Sequence, residues 1–285
     1  MTSTTRPLDS RSLSPLVNQC RQLNTNRSFC FDECSSDIFR THLVGQQSGL
    51  KNRLIKNPLA DAMAENETTM DYHVRTLTPE DKPKVLAFLR RFFFRDEPLN
   101  HTIGLIPEGE NSTCLELEEY SMSSLDQNLS LMAVSSGGAI VGVQLNGITE
   151  PAEKEDEPDY IKSCENAKFK KILKLLHHVD QKVDIMNRYP DKKIMDIRII
   201  SVDSNWRGQG VAAVLFEKTI EIGRELGYNL IRTDCSSHFT ARLCKRLAFE
   251  EIYALKYADY VDESGKPVFT PAAPHAAMTT YVRKL

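Results

Sequence analysis

One segment constrains this chain more than any other: Ile199-Ile-Ser-Val-Asp-Ser-Asn-Trp-Arg-Gly-Gln-Gly-Val-Ala-Ala213. An apolar strand runs into a turn holding Arg207, Gly208 and Gly210, and a helix starts there. Glycine has no Cβ, so the backbone can bend sharply and approach a ligand closely. The first N–H groups of a helix lack intrahelical partners and lie at the positive end of its dipole. Strand, glycine turn and helix together form a phosphate cradle, and Arg207 adds a charge beside it. Two rival motifs fit less well. A Walker loop needs Gly-Lys-Ser/Thr after four spacers, and this sequence lacks it. A dinucleotide fingerprint could use Gly208-Gln-Gly210 with Ala213 as its last small residue. However, the turn comes late in the chain and no repeated strand–helix–strand half precedes it.

The flanking pattern predicts a strand over 193–202, a helix over 210–226 stopped by Gly227, a strand over 229–233 and a helix over 237–247. Upstream, residues 72–77 alternate as a strand. Thr78-Pro-Glu-Asp81 then opens a helix, with Val85, Leu86, Phe88, Leu89, Phe92 and Phe93 on one face. A weaker helix is expected over 114–125. Strands over 129–134 and 140–145 flank a Gly137-Gly138 turn. A polar loop over 150–159 leads to a long helix over 167–189, and strands over 250–256 and 277–282 close the chain. This order points to one α/β (α+β) domain around a mixed sheet. Residues 1–70 are rich in Ser, Thr, Asn and Arg without a sustained apolar period, so a flexible tail is expected there.

Composition removes several function classes. The 285 residues carry a formal net charge of −3, so no basic surplus points to nucleic acid or anionic membrane. No run approaches the roughly 18 apolar residues of a membrane span. Nothing at Met1 reads as a secretory leader. The arginines of the tail faintly resemble a transit peptide, but Asp9, Asp32, Glu33 and Asp37 count against that, and a cytoplasmic location is expected. Seven scattered cysteines, with no Cys-x-x-Cys pair, argue for reduced thiols and against a zinc site.

The pattern Arg207-x-x-Gly210-x-Ala212 resembles the pyrophosphate-binding motif of the GNAT superfamily of N-acetyltransferases. Further segments narrow the match: Phe92-Phe-Phe-Arg-Asp-Glu-Pro-Leu-Asn100, Lys168-Phe-Lys-Lys-Ile-Leu173, Ile200-Ser-Val-Asp203, Cys235-Ser-Ser-His-Phe-Thr-Ala-Arg242 and Pro271-Ala-Ala-Pro-His275. Together they closely resemble the insect-type arylalkylamine (dopamine) N-acetyltransferases over residues 71–285. That resemblance implies a GNAT fold, a twisted mixed sheet of about seven strands flanked by helices. It implies acetyl-CoA as cosubstrate, no metal, and a monomer acting on small amines such as dopamine, serotonin, tyramine, octopamine or tryptamine. It makes Glu97 the general base and puts the two catalytic hydroxyls at Ser236 and Thr240; the second departs from the family's serine. Coenzyme contacts are implied at Ser201, Val202, Arg207, Gly208, Gln209, Gly210, Val211 and Ala212, with Ser237, His238, Arg242 and Lys245 beside them. Phe93, Asp96, Glu97 and His275 would meet the acceptor.

The chemistry requires such groups. An alkyl amine with a pKa of about 10.4 arrives protonated, and only its neutral form attacks a thioester. A carboxylate near its usual value of about 4.3 is a poor base, so burial beside Phe92–Phe94 and a second carboxylate at Asp96 are expected to raise that of Glu97. An N–H near Ser201 or Val202 would hold the oxyanion, and Ser236 would serve the leaving thiolate. Ser236, Ser237 and Thr240 could equally cap a helix. A covalent route through Cys235 and His238 is disfavoured, since a small buried thiol is the plainer reading. The acceptor slot could also draw on Tyr120, Met132, Tyr189, Phe239 and Tyr257. His177 and His178 read as solvent-exposed. A polyamine, a protein lysine, or an acyl-CoA sensor without turnover are the competing functions.

Overall fold

The computed structural model describes residues 71–109, 112–151, 155 and 157–285. The tail expected over 1–70 lies outside the described residues. In chain order the elements are β1 (Tyr72–Thr76), α1 (Lys82–Arg91), α2 (Phe93–Asp96), α3 (Pro98–Thr102), α4 (Leu115–Met122), β2 (Leu131–Ser135), β3 (Ile140–Ile148), α5 (Asp159–Lys162), α6 (Ala167–Val183) and α7 (Ile185–Arg188). They continue with β4 (Ile194–Val202), α8 (Val211–Glu225), β5 (Leu230–Cys235), α9 (His238–Arg246), β6 (Glu250–Lys256) and β7 (Ala277–Lys284).

The strands form one seven-stranded mixed sheet in the order β1-β2-β3-β4-β5-β7-β6. Every neighbouring pair is antiparallel except β4 and β5. That parallel pair is joined by α8, as a crossover requires. Two apolar layers cover the sheet. On one face Val85, Leu89, Phe94, Leu117, Phe169 and Ile172 bring α1, α2, α4 and α6 onto it. On the other, Leu215, Phe216, Ile220 and Leu243 seat α8 and α9.

The Ile-dense strand β4 is buried on both faces, and its side chains do not keep strict alternation. Leu145 pairs with Ile199 and Asn146 with Ile197, so Arg198 is an extra residue without a partner in β3. Such a bulge reverses which face the following side chains meet. Ile194 packs on the α6 face, Met195 and Ile197 on the α8 face, and Ile199 on the α6 face again.

Two expectations are corrected. The single helix expected over 167–189 breaks at Asp184, which takes a left-handed conformation (φ 42°) between α6 and α7. Asp tolerates that region better than most residues, and its carboxylate accepts a 2.7 Å bond from Asn187 Nδ2. His177 is buried rather than exposed, because it follows Leu173 by one helical repeat on the apolar stripe. Burial is tolerated since both ring nitrogens have partners, the Tyr160 hydroxyl (3.1 Å) and the Glu155 carbonyl (2.7 Å). His178 is half-buried against Tyr260.

Candidate active site

The functional cleft opens where the parallel pair comes apart. β4 and β5 pair only from Ile194–Leu230 to Ile197–Thr233, and the Thr233 hydroxyl donates to the Ile197 carbonyl (3.0 Å) at the fork. Beyond it, β4 continues to Val202 alongside β3 while β5 turns to β7. A cleft of about 850 Å³ fills the gap and reaches both faces of the sheet.

On the α8 face, the turn after β4 has the conformation the glycines allow. Gly208 (φ 80°) and Gly210 (φ 86°) both lie in the left-handed region, and a Cβ at either would meet only open space. Gly210 caps α8 without any side-chain cap, so the Val211, Ala212 and Ala213 N–H groups precede the first intrahelical bond, from Val214 to the Gly210 carbonyl (3.1 Å). Open space, free donors and the positive helix end suit a diphosphate. Gly210→Val would strain this turn and fill its mouth. It is expected to weaken acetyl-CoA binding at least tenfold in calorimetry while changing the melting temperature far less.

Backbone donors line the fork as well. The Asp203 N–H donates to the Val141 carbonyl (2.9 Å), which turns the N–H and C=O of Val202 away from β3 towards the cleft. Ser201 lines the cleft but directs its N–H into β3. Of the two expected donors, Val202 is therefore the one that faces the opening.

On the α6 face sits Glu97. It adopts φ −66° and ψ 129°, the extended geometry Pro98 imposes, and it caps α3 by accepting from the Asn100 N–H (Oε2, 2.7 Å). Its other oxygen, Oε1, is buried and has no hydrogen-bond partner. Burial raises its pKa above the ordinary carboxylate range; the nearby Ser236 hydroxyl and the Asn100 and Leu99 N–H groups oppose this without cancelling it. Asp96 does not act as expected. Its carboxylate is held by Arg207 (Nη2–Oδ2, 2.5 Å), so it is neutralised rather than left to repel Glu97. The same contact draws Arg207 towards α2, where its Nε also donates to the Val202 carbonyl (3.1 Å).

Other expected residues divide. Phe93, Ser236, Ser237, Thr240, Phe239, Tyr120 and His275 line the cleft with Glu97. Ser237 is the N-cap of α9, accepting from the Phe239 N–H (3.2 Å), so capping and the cleft wall fall to adjacent hydroxyls. His275 accepts the His238 N–H on Nδ1 (3.2 Å), and burial lowers its pKa. Gln209, His238, Arg242 and Lys245 do not reach the cleft wall. The Gln209 amide turns back to the Asn205 carbonyl (2.9 Å), Lys245 pairs with Glu251 (3.1 Å), and Arg242 lies exposed on α9. Phe92 and Phe94 are buried in the core, as are Met132 and Tyr257, leaving Phe93 as the one phenylalanine of its run on the wall. Tyr257 supports the wall from behind by donating to the Ser236 carbonyl (2.8 Å). Cys235 is buried 3.7 Å from the Cys244 sulfur, and that contact together with burial raises its pKa, which favours the neutral thiol over the thiolate.

Sequence reasoning missed the charged side chains on the α6 side of the cleft, Asp196, Arg198 and Asp234. Charged residues interrupting Ile-rich strands were the available signal.

No family model matches the chain. Solved structures do. Arylalkylamine N-acetyltransferase 2 from Aedes aegypti is 34% identical, covering 75% of this chain and 99% of that one, with a TM-score of 0.71. The chain belongs to the insect-type arylalkylamine N-acetyltransferases of the GNAT superfamily. A mosquito arylalkylamine N-acetyltransferase-like 5b is 27% identical, with 75% and 100% coverage and a TM-score of 0.67. A Drosophila melanogaster polyamine N-acetyltransferase, which forms N-acetylagmatine, is also 27% identical, with the same coverages and a TM-score of 0.66. The solved structures similar to this chain thus carry names with unlike acceptors, and the acceptor here has to be argued from its own cleft. No helix among the described residues is long and apolar enough to cross a membrane.

Proposed function

We propose that this family member transfers the acetyl group of acetyl-CoA to the primary amine of a small arylalkylamine by direct attack, with Glu97 as general base. The observation that carries the reading is a buried carboxylate with one unsatisfied oxygen, lining the same cleft as an open glycine turn at a helix N-terminus. The turn and the α8 N–H groups would hold the diphosphate, and the thioester would lie in the fork between β4 and β5. Glu97 would take a proton from the incoming ammonium, directly or through water, giving a neutral amine whose lone pair attacks the carbonyl carbon. The Val202 N–H, which faces the cleft, would stabilise the oxyanion. Collapse breaks the C–S bond as the nitrogen sheds its second proton, and Ser236, on the cleft wall, would hydrogen-bond the departing thiolate or relay that proton to it, leaving the amide and coenzyme A thiol. Thr240 stands on the same wall as the second hydroxyl.

An aryl acceptor is supported by Phe93, Tyr120, Phe169, Ile172 and Leu176 on the α6 side of the cleft. Tyr120 and Phe169 meet edge-on with centroids 5.9 Å apart, leaving an aromatic wall. A second reading, a polyamine acceptor, draws on the carboxylates of Asp196 and Asp234 in that cleft. A DTNB assay for released coenzyme A, run with dopamine, serotonin, tyramine and spermidine, separates them. Turnover of the aromatic amines well above spermidine is expected. Preference for spermidine would transfer the function to polyamines, and acetyl-CoA binding without turnover would make the chain a sensor.

A further inference from the structure

The α6 side of the cleft contains a carboxyl group that the reaction does not use. Asp196 and Arg198 leave β4 on either side of Ile197, at and just before the bulge, and both line the cleft. The other charges nearby are committed. Arg232, on β5, is buried and bonds Asp180 on α6 (2.6 Å) and Asp234 (2.8 Å). Asp234 also accepts from the Thr280 hydroxyl (2.5 Å). Asp196 accepts no hydrogen bond from any described residue. Its nearest cation, Arg198 Nε, stays 3.8 Å away, beyond hydrogen-bonding range. Arg198 itself is only loosely held, donating to the Ile148 carbonyl at 3.3 Å and the Ser123 hydroxyl at 3.5 Å. Burial raises the Asp196 pKa, with Arg232 and Arg198 opposing and Asp234 and Asp180 reinforcing the rise. The Asp196 side chain is 20% exposed, open to the cleft, so its carboxyl has hydrogen-bonding capacity left for a ligand that displaces cleft water.

We propose that Asp196, with Arg198 beside it, is the specificity-determining pair that reads a hydroxyl on the acceptor's ring, so that this enzyme selects hydroxylated arylalkylamines. This rests on the arylalkylamine reading above and deepens it. A phenolic hydroxyl both donates and accepts. Asp196 supplies the acceptor and Arg198 the donor, while Tyr120, Phe169 and Ile172 enclose the ring. A distal ammonium or guanidinium would satisfy Asp196 but be driven against the Arg198 guanidinium, so the pair disfavours polyamine-like tails. A bare phenyl ring would leave both groups unpaired, and a site built for a hydroxyl rejects the analogue lacking one.

The test compares tyramine with phenethylamine, which differ by one ring hydroxyl, using the full-length protein and its Asp196→Ala and Asp196→Asn variants. The readout is the ratio of kcat/KM for the two amines within each protein, which cancels any loss of folded fraction. Wild type is expected to favour tyramine by roughly 10- to 100-fold, as loss of a hydrogen bond to a charged group implies. Asp196→Ala should bring the ratio to within about threefold of one, mainly through KM for tyramine, and Asp196→Asn should keep part of the preference. A wild-type ratio near one, or a ratio unmoved in Asp196→Ala, overturns the proposal while leaving arylalkylamine acetylation standing. Agmatine or spermidine turned over better than tyramine, with that preference lost in Asp196→Ala, would assign the pair to a cationic tail instead. If neither aromatic amine is acetylated, the acceptor reading fails and this inference with it.

Discussion

Replacing Glu97 with Ala is expected to lower kcat/KM at neutral pH by roughly 100- to 10,000-fold, the usual contribution of a positioned general base. The reason is geometric first. The carboxylate is fixed by Pro98 and by the Asn100 N–H, and its other oxygen, Oε1, is buried without a hydrogen bond, with the Ser236 hydroxyl nearby. Electrostatics then sharpens the expectation. Burial raises the Glu97 pKa, so the wild-type acid limb, below which the base is protonated and activity falls, should lie above the ordinary carboxylate range. The variant has no such limb. Its rate should instead follow the small neutral fraction of the amine and keep rising towards the amine's own pKa, near 10. The measurement is kcat/KM against pH for both proteins with one amine. A variant with the wild-type rate and profile would remove Glu97 from the chemistry.

The same carboxylate has a thermodynamic signature. A group whose pKa is raised on folding contributes stability that is present below its unfolded pKa and is lost as pH rises through its folded pKa. Ionised Glu97 therefore weakens the fold at neutral pH. Glu97→Gln, which keeps the shape without the charge, should melt higher than wild type at pH 7 to 8, with the difference shrinking towards pH 4. Gain of stability with loss of turnover is the mark of a strained functional group rather than a structural one.

Much of this site could be read before any coordinates, and the reason differs from residue to residue. Gly208 and Gly210 were legible because a turn into a helix with both residues at positive φ leaves few alternatives to glycine. Glu97 was legible only through the resemblance; alone, it is an acid near a helix end. Asp96 and Arg207 were assigned separate tasks because sequence distance hides the contact between them. The two positions are 111 apart in sequence, and the fold brings them together as an ion pair on the wall of the same cleft. Asp196 escaped for a related reason. Strand alternation placed it on a face, but the bulge at Arg198 and the parting of β4 from β5 decide that this face borders a cleft. The error over His177 is of a different kind. Its helical stripe was readable from Leu173, but the partners that make its burial tolerable come from Tyr160 and Glu155, outside the helix.

Arg232→Leu should be among the most destabilising single changes on the α6 face, costing about 3–5 kcal/mol, as removal of one partner from a buried ion pair does. The guanidinium is 4% exposed and joins α6 to β5 through Asp180 and Asp234, with Asp196 close enough to feel its charge. Leucine matches much of its apolar stem but leaves three carboxylates facing one another, with only Arg198 nearby. At 2–4 °C per kcal/mol for a domain of this size, the melting temperature should fall by on the order of 10 °C. Arg232→Lys keeps the charge but not the planar fork that meets two carboxylates at once, and should lose less. The pH dependence distinguishes uncompensated charge from lost packing. Burial already raises the Asp196 pKa with Arg232 opposing, so losing Arg232 raises it further, and the fold keeps its stability in acid and loses it as pH rises. The gap between wild type and Arg232→Leu should therefore widen from pH 4 to pH 7 in urea denaturation. A gap that is constant across that range would mean that the arginine's stem, and not its charge, holds β5 to α6.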